Sequence, residues 1–186
     1  NIKSAPMNKR LVSLIPICSA LTAAGAFIKI PIAPVPITLQ NFFVILSGIL
    51  LGPKAGAMSQ VVYIIVGLIG LPVFSGGGGP SYIFKPTFGY ILGFVAASAI
   101  SGYMMKPGTF NYGRVFGASA LGMLAIYLVG VPYLALYLYF IVHNTEAVSI
   151  AVKTGMLFFL PGDLVKCIVL AMILPRLVTL MGLARK

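Results

Sequence analysis

The sequence predicts an all-α integral membrane protein: a single domain over residues 1–186 with six transmembrane helices, whose helical or irregular outer loops form a lid over a ligand site. Hydrophobic residues make up 60% of the chain, charged residues only 8%, and the mean hydropathy is +1.07. Soluble domains carry roughly 25% charged residues, so this composition indicates a lipid environment. The net charge of +11 does not indicate nucleic acid as a partner, because the basic residues lie mostly at the ends of apolar runs.

Six apolar runs have the length and composition of membrane spans: 11–30, 37–51, 55–71, 87–105, 114–131 and 162–181. Proline and glycine separate them, because proline fixes φ and lacks the N–H that a helix needs. The breaks include the prolines of segment 31–36, the Gly52-Pro53 pair, Pro72 and the glycine loop 75–81. The first run is expected to be retained as a helix, since no small-residue cleavage site closes it.

The stretch 132–160 allows two interpretations. Polar breaks at 143–146 and 153–154 fit one further span followed by a loop, or short helices that lie across the outer end of the bundle. We favour the short helices, which keep the number of predicted spans at six.

The basic residues indicate how the spans are oriented. With six spans both termini lie on one side, together with Lys3, Lys9, Arg10, Lys54, Lys106, Arg114, Arg176, Arg185 and Lys186. The opposite side holds fewer basic residues, namely Lys29, Lys85, Lys153 and Lys166. The positive-inside rule therefore predicts that both termini are cytoplasmic. The proline segment, the glycine loop and the start of the last span then meet at the outer face.

Segment 161–166 (PGDLVK) holds one of only two acidic residues in the chain. An aspartate in the first turn of a helix faces the positive end of its dipole, and a spacing of three puts Asp163 and Lys166 on one face. The pair fits either a local ion pair or a half-buried acceptor and donor presented to a ligand. Ionisable groups inside a membrane bundle are functional candidates because their burial is costly.

Two further polar segments are expected at the outer face. Thr38, Gln40 and Asn41 follow the prolines, where their side chains fit either capping of the second span or ligand binding. The glycine loop is not an ATP-binding P-loop, because no Gly-Lys-Ser/Thr follows it. It fits a mobile lid that closes over a pocket, or a plain flexible connector.

Small residues recur at a spacing of four in the predicted spans: Ala20/Ala24, Gly48/Gly52, Gly89/Gly93 and Ala118/Gly122. Such pairs let helices approach closely in lipid, so packing within the chain is the default interpretation. Ala20 and Ala24, in the first span, are also placed to face a partner protein.

Enzyme chemistry and metal binding find little support. The two acids, Asp163 and Glu146, have no second carboxylate beside them and the chain has one histidine, so no acid–base pair, triad or metal cluster is expected. His143 and Glu146 are interpreted as solvated residues. Cys18 and Cys167 lie in apolar runs and are expected to pack there without a disulfide.

Several segments together resemble one membrane protein family. They are PVPITLQ (34–40), GPKAGA (52–57), GLIGLPVF (67–74), the glycine loop, PTFGYILGF (86–94) and PGDLVK (161–166). The resemblance is to the BioY family, the biotin-binding substrate component of energy-coupling factor (ECF) transporters, and it spans almost the whole chain. Phe84 and Lys85 depart from the family pattern, which usually has small or apolar residues there.

The resemblance implies a six-helix protein of the bacterial cytoplasmic membrane that binds biotin at its outer end without a cofactor. Its implied partners are a transmembrane coupling (T) subunit and cytoplasmic ATPase subunits that supply energy for uptake. Ala20 and Ala24 match the family's Ala-x-x-x-Ala motif for docking on the coupling subunit. The ligand contacts assigned on this basis are Asp163, Lys166, Gln40, Asn41, Thr38, Ser75, Gly77, Gly78, Tyr82 and Tyr90.

The resulting hypothesis is that biotin enters from outside and meets Asp163 and Lys166 through its ureido ring, while its apolar parts pack on tyrosine faces. The glycine loop then closes and the loaded protein docks on the coupling subunit. The alternative functions are a stand-alone carrier or channel for biotin or another small vitamin, and a structural membrane subunit without a ligand. The polar groups gathered at one end argue against a structural subunit.

Overall fold

In the computed structural model, residues 9–105 and 110–180 are described, and they form a helical bundle with a two-stranded antiparallel sheet. The elements are α1 (Lys9–Phe27), β1 (Lys29–Ile30), β2 (Ile37–Thr38), α2 (Gln40–Leu68), a 3-10 turn (Pro80–Phe84), α3 (Phe88–Met104), α4 (Tyr112–Phe140), α5 (Ala147–Val152), a π-helical turn (Lys153–Leu157) and α6 (Leu160–Leu180). The predicted all-α class is confirmed. Some of the basic residues used for the orientation lie outside the described residues, namely Lys3, Lys106, Arg185 and Lys186.

Helix α2 reverses direction at Gly52, so it consists of two antiparallel arms. Gly52 has a φ of 81° and Pro53 follows it, and neither fits an unbroken helix. A Cβ added to Gly56 would lie 2.7 Å from the Cα of Gly48, whereas eight residues of straight helix span about 12 Å. The reversal lies where the sequence separates its second and third apolar runs.

Glycines bring neighbouring helices into backbone contact. The first arm of α2 packs on α3 at Gly48, where an added Cβ would collide with the backbone of Ser98. Helix α3 packs on α4 at Gly93, where an added Cβ would lie 3.0 Å from the Cα of Ile126. These contacts confirm packing within the chain for Gly48 and Gly93, since only a missing side chain permits so close an approach.

Helix α4 is longer than the sequence suggests, because it continues through Pro132 to Phe140. Proline removes one backbone hydrogen bond, but its φ is helical, and helices in membrane bundles tolerate it. The stretch 132–160 therefore contains the end of α4, a turn at 141–146, α5 and the π-helical turn. The short helices of the favoured interpretation are present, but they begin only after residue 146.

The glycine loop folds back on the bundle. Phe74 and Gly77 form an antiparallel bridge, and Gly79 N–H donates to Gly67 O at 2.8 Å, at the end of α2. The ring of Phe74 is fully buried and lies 4.5 Å, centroid to centroid, from that of Tyr82. Gly77 and Gly79 have φ values of 116° and 100°, a region that side-chain-bearing residues rarely adopt. The segment predicted as a mobile loop thus has defined backbone contacts.

The outer surface of the bundle is suited to lipid. Among the described residues, three helical stretches are long and apolar enough to cross a membrane: Gln40–Leu68, Tyr112–Phe140 and Ala147–Arg176. Two shorter apolar helices accompany them, Ser13–Phe27 and Phe88–Met104. Large apolar side chains such as Ile17, Leu128 and Val148 point outward. These features indicate a multi-pass membrane protein, while the number of six crossings stays a prediction.

Candidate ligand site

A cleft opens where the first turns of three helices meet. Helices α2, α3 and α6 all begin beside it, and the middle of α4 and the π-helical turn close its sides. Apolar walls with a few convergent polar groups are typical of small-molecule sites. The residues that line the cleft are Val35, Pro36, Thr38, Gln40, Asn41, Ser75, Thr87, Tyr90, Ile91, Phe94, Tyr127, Gly155, Phe159, Asp163 and Lys166.

Asp163 and Lys166 form an ion pair in the cleft that is largely shielded from solvent. Lys166 Nζ lies 2.7 Å from Asp163 Oδ1, and the side chains are 12% and 5% exposed for Lys166 and Asp163 respectively. The same ammonium donates to Thr38 O at 2.8 Å, so it ties α6 to β2. Tyr127 of α4 donates its hydroxyl to Asp163 Oδ2. Both carboxylate oxygens therefore have a partner, one on α6 and one on α4.

Gln40 connects the cleft to the segment that precedes the glycine loop. Its Nε2 donates to Tyr63 OH at 2.5 Å, and that hydroxyl donates to Val73 O at 3.1 Å. Its Oε1 accepts from Thr38 Oγ1 at 3.2 Å. Because Gln40 is only 3% exposed, these bonds satisfy an amide that would otherwise be costly to bury. Asn41, the next residue, is half-buried and also lines the cleft.

Tyr90 has its hydroxyl committed to the protein, so its ring is the part left for a ligand. The hydroxyl donates to Gly155 O at 2.9 Å in the π-helical turn. Single π turns often occur at functional sites, because they displace one residue from the regular helical ladder. A Cβ added to Gly155 would collide with the Tyr90 hydroxyl and with the Leu134 side chain, so a larger residue here would displace these side chains.

The electrostatics of the cleft suit a ligand with both donors and acceptors. The N-termini of α2, α3 and α6 place the positive ends of three helix dipoles at the cleft. Lys166 adds an ammonium, which favours carbonyl or carboxylate groups of a ligand. Asp163 adds a carboxylate, which favours N–H donors. No group of three or more potential metal-ligating side chains occurs within the described ranges.

The structure brings most of the predicted contact residues to the cleft, namely Thr38, Gln40, Asn41, Ser75, Tyr90, Asp163 and Lys166. Tyr82 lies behind the lining: its hydroxyl accepts from Thr87 Oγ1 at 3.1 Å and is 3.5 Å from Ser75 Oγ. Gly77 and Gly78 shape the turn that follows Ser75 and are not among the lining residues of the described chain. Ligand contact by any of the predicted residues stays a prediction.

Several lining residues were not singled out from the sequence, namely Thr87, Phe94, Tyr127, Gly155 and Phe159. Thr87 and Phe94 fall inside the PTFGYILGF segment, which offered a signal for them. Tyr127 is 36 positions from Asp163 and is one of nine tyrosines, so no local pattern pairs the two.

The predicted docking residues lie on the outward face of α1. Ala20 and Ala24 are both exposed, in line with Ile17 and Phe27. Thr22, between them, points inward and is fully buried. The small-residue surface is therefore not used for packing within the described part of the chain and is accessible to lipid or to a partner.

Relatives of the chain are named as biotin transporters. Residues 3–182 match the model of the BioY family. A probable biotin transporter BioY from Pyrococcus horikoshii is 41% identical over 173 residues, which cover 92% of this chain and 98% of the relative. The biotin transporter BioY from Thermotoga maritima is 39% identical over 163 residues, covering 87% and 91%. A probable biotin transporter BioY from Lysinibacillus sphaericus is 51% identical over 122 residues, covering 65% and 62%.

A solved structure has the same fold. The S-component for biotin from an ECF-type ABC transporter matches with a TM-score of 0.77 and 29% sequence identity, and the match covers 91% of each chain. The family model and the relatives, each covering most of the chain, agree with this likeness, and together they show that the chain belongs to the BioY family.

Proposed function

We propose that this protein is a biotin-binding membrane subunit that mediates ATP-dependent biotin uptake together with a coupling subunit and ATPases. The observation that carries the proposal is the Asp163–Lys166 pair, buried at the cleft where α2, α3 and α6 begin. Relatives named biotin transporters and the likeness to a biotin S-component support biotin as the ligand.

The chemistry of biotin fits the cleft. Its ureido ring carries two N–H donors and a carbonyl acceptor, which a carboxylate and an ammonium satisfy together. Its valerate carboxylate is favoured by the helix N-termini around the cleft. Its thiophane ring and aliphatic chain suit apolar side chains such as Ile91, Phe94 and the ring of Tyr90.

The glycine loop would act as the lid of the site. It contributes Ser75 to the cleft, and the ammonium of Lys29 in β1 donates a hydrogen bond to Ser75 O. Opening of the loop would exchange this contact, and the bond from Gly79 N–H to Gly67 O at the end of α2, for contacts with water. The ligand would contact Gly77, Gly78 or Tyr82 only if the loop moves, because none of them lines the cleft.

Energy for uptake would come from partner subunits. Ala20 and Ala24 form a flat, exposed surface on α1, and small residues of this kind allow close contact between helices in lipid. A transmembrane coupling subunit would dock there, and cytoplasmic ATPase subunits would drive the transport cycle. We further propose six membrane crossings, with the two arms of α2 as separate ones, in a bacterial cytoplasmic membrane with both termini cytoplasmic.

Titration of the purified protein with biotin in detergent, followed by heat, tests the binding function. We expect one-to-one binding without partner subunits, and a Kd weakened by on the order of 100-fold in Asp163→Asn, because Lys166 then keeps a buried charge without its partner. Glu146→Gln is the matched control, since it neutralises the other acid of the chain, which is exposed. Wild-type protein that binds no biotin, or unchanged binding in Asp163→Asn, would contradict the proposal.

Replacement of Ala20 and Ala24 by leucine tests the docking function. We expect biotin binding to persist while uptake by cells that co-express the coupling and ATPase subunits falls by more than about tenfold, because larger side chains prevent close helix contact. Ala120→Leu, at an exposed alanine of α4, is the control. Uptake that needs no co-expressed ATPase would instead identify a stand-alone carrier.

A further inference from the structure

Tyr127 stands out among the residues of the cleft because it contacts the buried carboxylate from a different helix. It lies in the middle of α4, is 6% exposed, and donates its hydroxyl to Asp163 Oδ2. Asp163 is the buried acid of the described chain, since Glu146 is exposed. Tyr127 is therefore the hydrogen-bond donor that this carboxylate receives from another helix.

An ionised carboxylate has about four acceptor positions, two on each oxygen. Lys166 occupies one on Oδ1 and Tyr127 occupies one on Oδ2. About two acceptor positions remain by this count, and Asp163 is among the residues that line the cleft. These positions suit a ligand with adjacent N–H donors, such as a cyclic urea.

The orientation of the carboxylate plane decides where those positions point. The terminal torsion of aspartate is broad, so the plane turns readily unless both oxygens are held. Lys166 holds only Oδ1, and it is shared with Thr38 O. A donor on Oδ2 from a packed helix fixes the second oxygen and with it the rotation of the plane.

We infer that Tyr127 is a positioning residue for ligand recognition: its hydroxyl orients Asp163 so that the free acceptor positions face the N–H groups of the ligand. This inference rests on the proposed biotin-binding function. The role belongs to the hydroxyl and not to the ring, whose packing would be kept by phenylalanine.

A double-mutant cycle tests this role, with biotin titrated up to millimolar concentration so that weak binding is still measured. We expect Tyr127→Phe to weaken the Kd by about tenfold in the wild-type background and by less than about twofold in the Asp163→Asn background. Tyr139→Phe removes an exposed hydroxyl from the same helix and should leave the Kd unchanged in both backgrounds.

The outcomes separate the inference from the function. Tight wild-type binding that Tyr127→Phe leaves unchanged would overturn the inference and leave the biotin-binding function in place. An equal loss in both backgrounds would also overturn it, because the tyrosine would then support the cleft without acting through Asp163. Wild-type protein that binds no biotin would contradict the proposed function itself.

Discussion

Among the described residues, two clusters of buried or half-buried polar side chains can be compared, and they differ in charge and in access. The site cluster comprises Thr38, Gln40, Tyr127, Asp163 and Lys166, all of which line the cleft. The core cluster comprises Ser19, Thr22, Ser47, Ser59, Gln60 and Ser98, each at most 7% exposed, and none of its members lines that cleft.

The core cluster is neutral and bonded within itself. Gln60 Oε1 accepts from Thr22 Oγ1 at 3.3 Å, and Gln60 Nε2 donates to Ser47 Oγ and to Ser59 Oγ, both at 3.0 Å. Ser47 Oγ lies 2.9 Å from Ser98 Oγ, which extends the chain of bonds to α3. The cluster therefore joins α1, both arms of α2, and α3 by side-chain bonds of the kind that hold membrane helices together.

The difference distinguishes the proposed ligand site from the packed core. Buried polar groups alone do not indicate a ligand site, because the core cluster has more of them and uses them for helix packing. The site cluster adds a charged pair at a cleft. We therefore expect changes in the site cluster to act on biotin affinity, and changes in the core cluster to act on stability.

The largest effect is expected when both charges of the site are removed together. The double variant Asp163→Asn/Lys166→Met should weaken the Kd for biotin by about 100-fold or more, while its stability stays within roughly 1 kcal/mol of the wild type, because neutral replacement of a whole buried ion pair costs little. Glu146→Gln/Lys153→Met removes an exposed acid and lysine and serves as the control. Lost stability with unchanged affinity would mean that the pair is structural.

A second prediction concerns the contact between α2 and α3. Gly48→Ala should lower the stability by about 2 kcal/mol, because the added Cβ would collide with the backbone of Ser98, which cannot move aside easily. Gly117→Ala is the matched control, since an added Cβ there meets no atom within 4 Å. Unfolding can be followed with a thiol-reactive dye, because Cys18 and Cys167 are both buried. Equal stability of the two variants would contradict the close packing at Gly48.

A third prediction concerns the core cluster itself. Gln60→Leu should lower the stability by about 1 kcal/mol, since several neutral bonds between helices are lost and each contributes well under 1 kcal/mol on average. The Kd for biotin should stay within about twofold of the wild-type value. A variant of normal stability that no longer binds biotin would remove the distinction between the clusters.

The smallest effect is expected at Tyr63, which connects the Gln40 side chain to Val73, just before the glycine loop. Tyr63→Phe removes one hydroxyl with two bonds, so we expect about a threefold weaker Kd. Tyr139→Phe, at an exposed tyrosine, is the comparison. A loss as large as that of Asp163→Asn would place Tyr63 among the ligand contacts.

Local sequence patterns predicted features that depend on residues close together in the chain. The spacing of three between Asp163 and Lys166 predicted their pairing, and the Gly52-Pro53 break predicted the position where α2 reverses. The membrane class followed from composition alone. Pro132 misled the prediction of where α4 ends, because proline is compatible with a helix whose other backbone bonds are kept.

Tertiary contacts account for what the sequence did not predict. Tyr127 reaches Asp163 from a different helix, and Gly155, in the π-helical turn, accepts a hydrogen bond from Tyr90 of α3. The folding of the glycine loop depends on Phe74, whose ring fills the space left by Gly67. None of these contacts follows from the spacing of residues within one element.

A structure of the protein with biotin bound would show whether the Asp163–Lys166 pair contacts the ligand. We expect the ureido ring within hydrogen-bond distance of the Asp163 carboxylate and the Lys166 ammonium, with the apolar part of the ligand against the ring of Tyr90. Biotin bound elsewhere, with the Asp163–Lys166 pair unchanged and out of its reach, would show that this pair is not the ligand site.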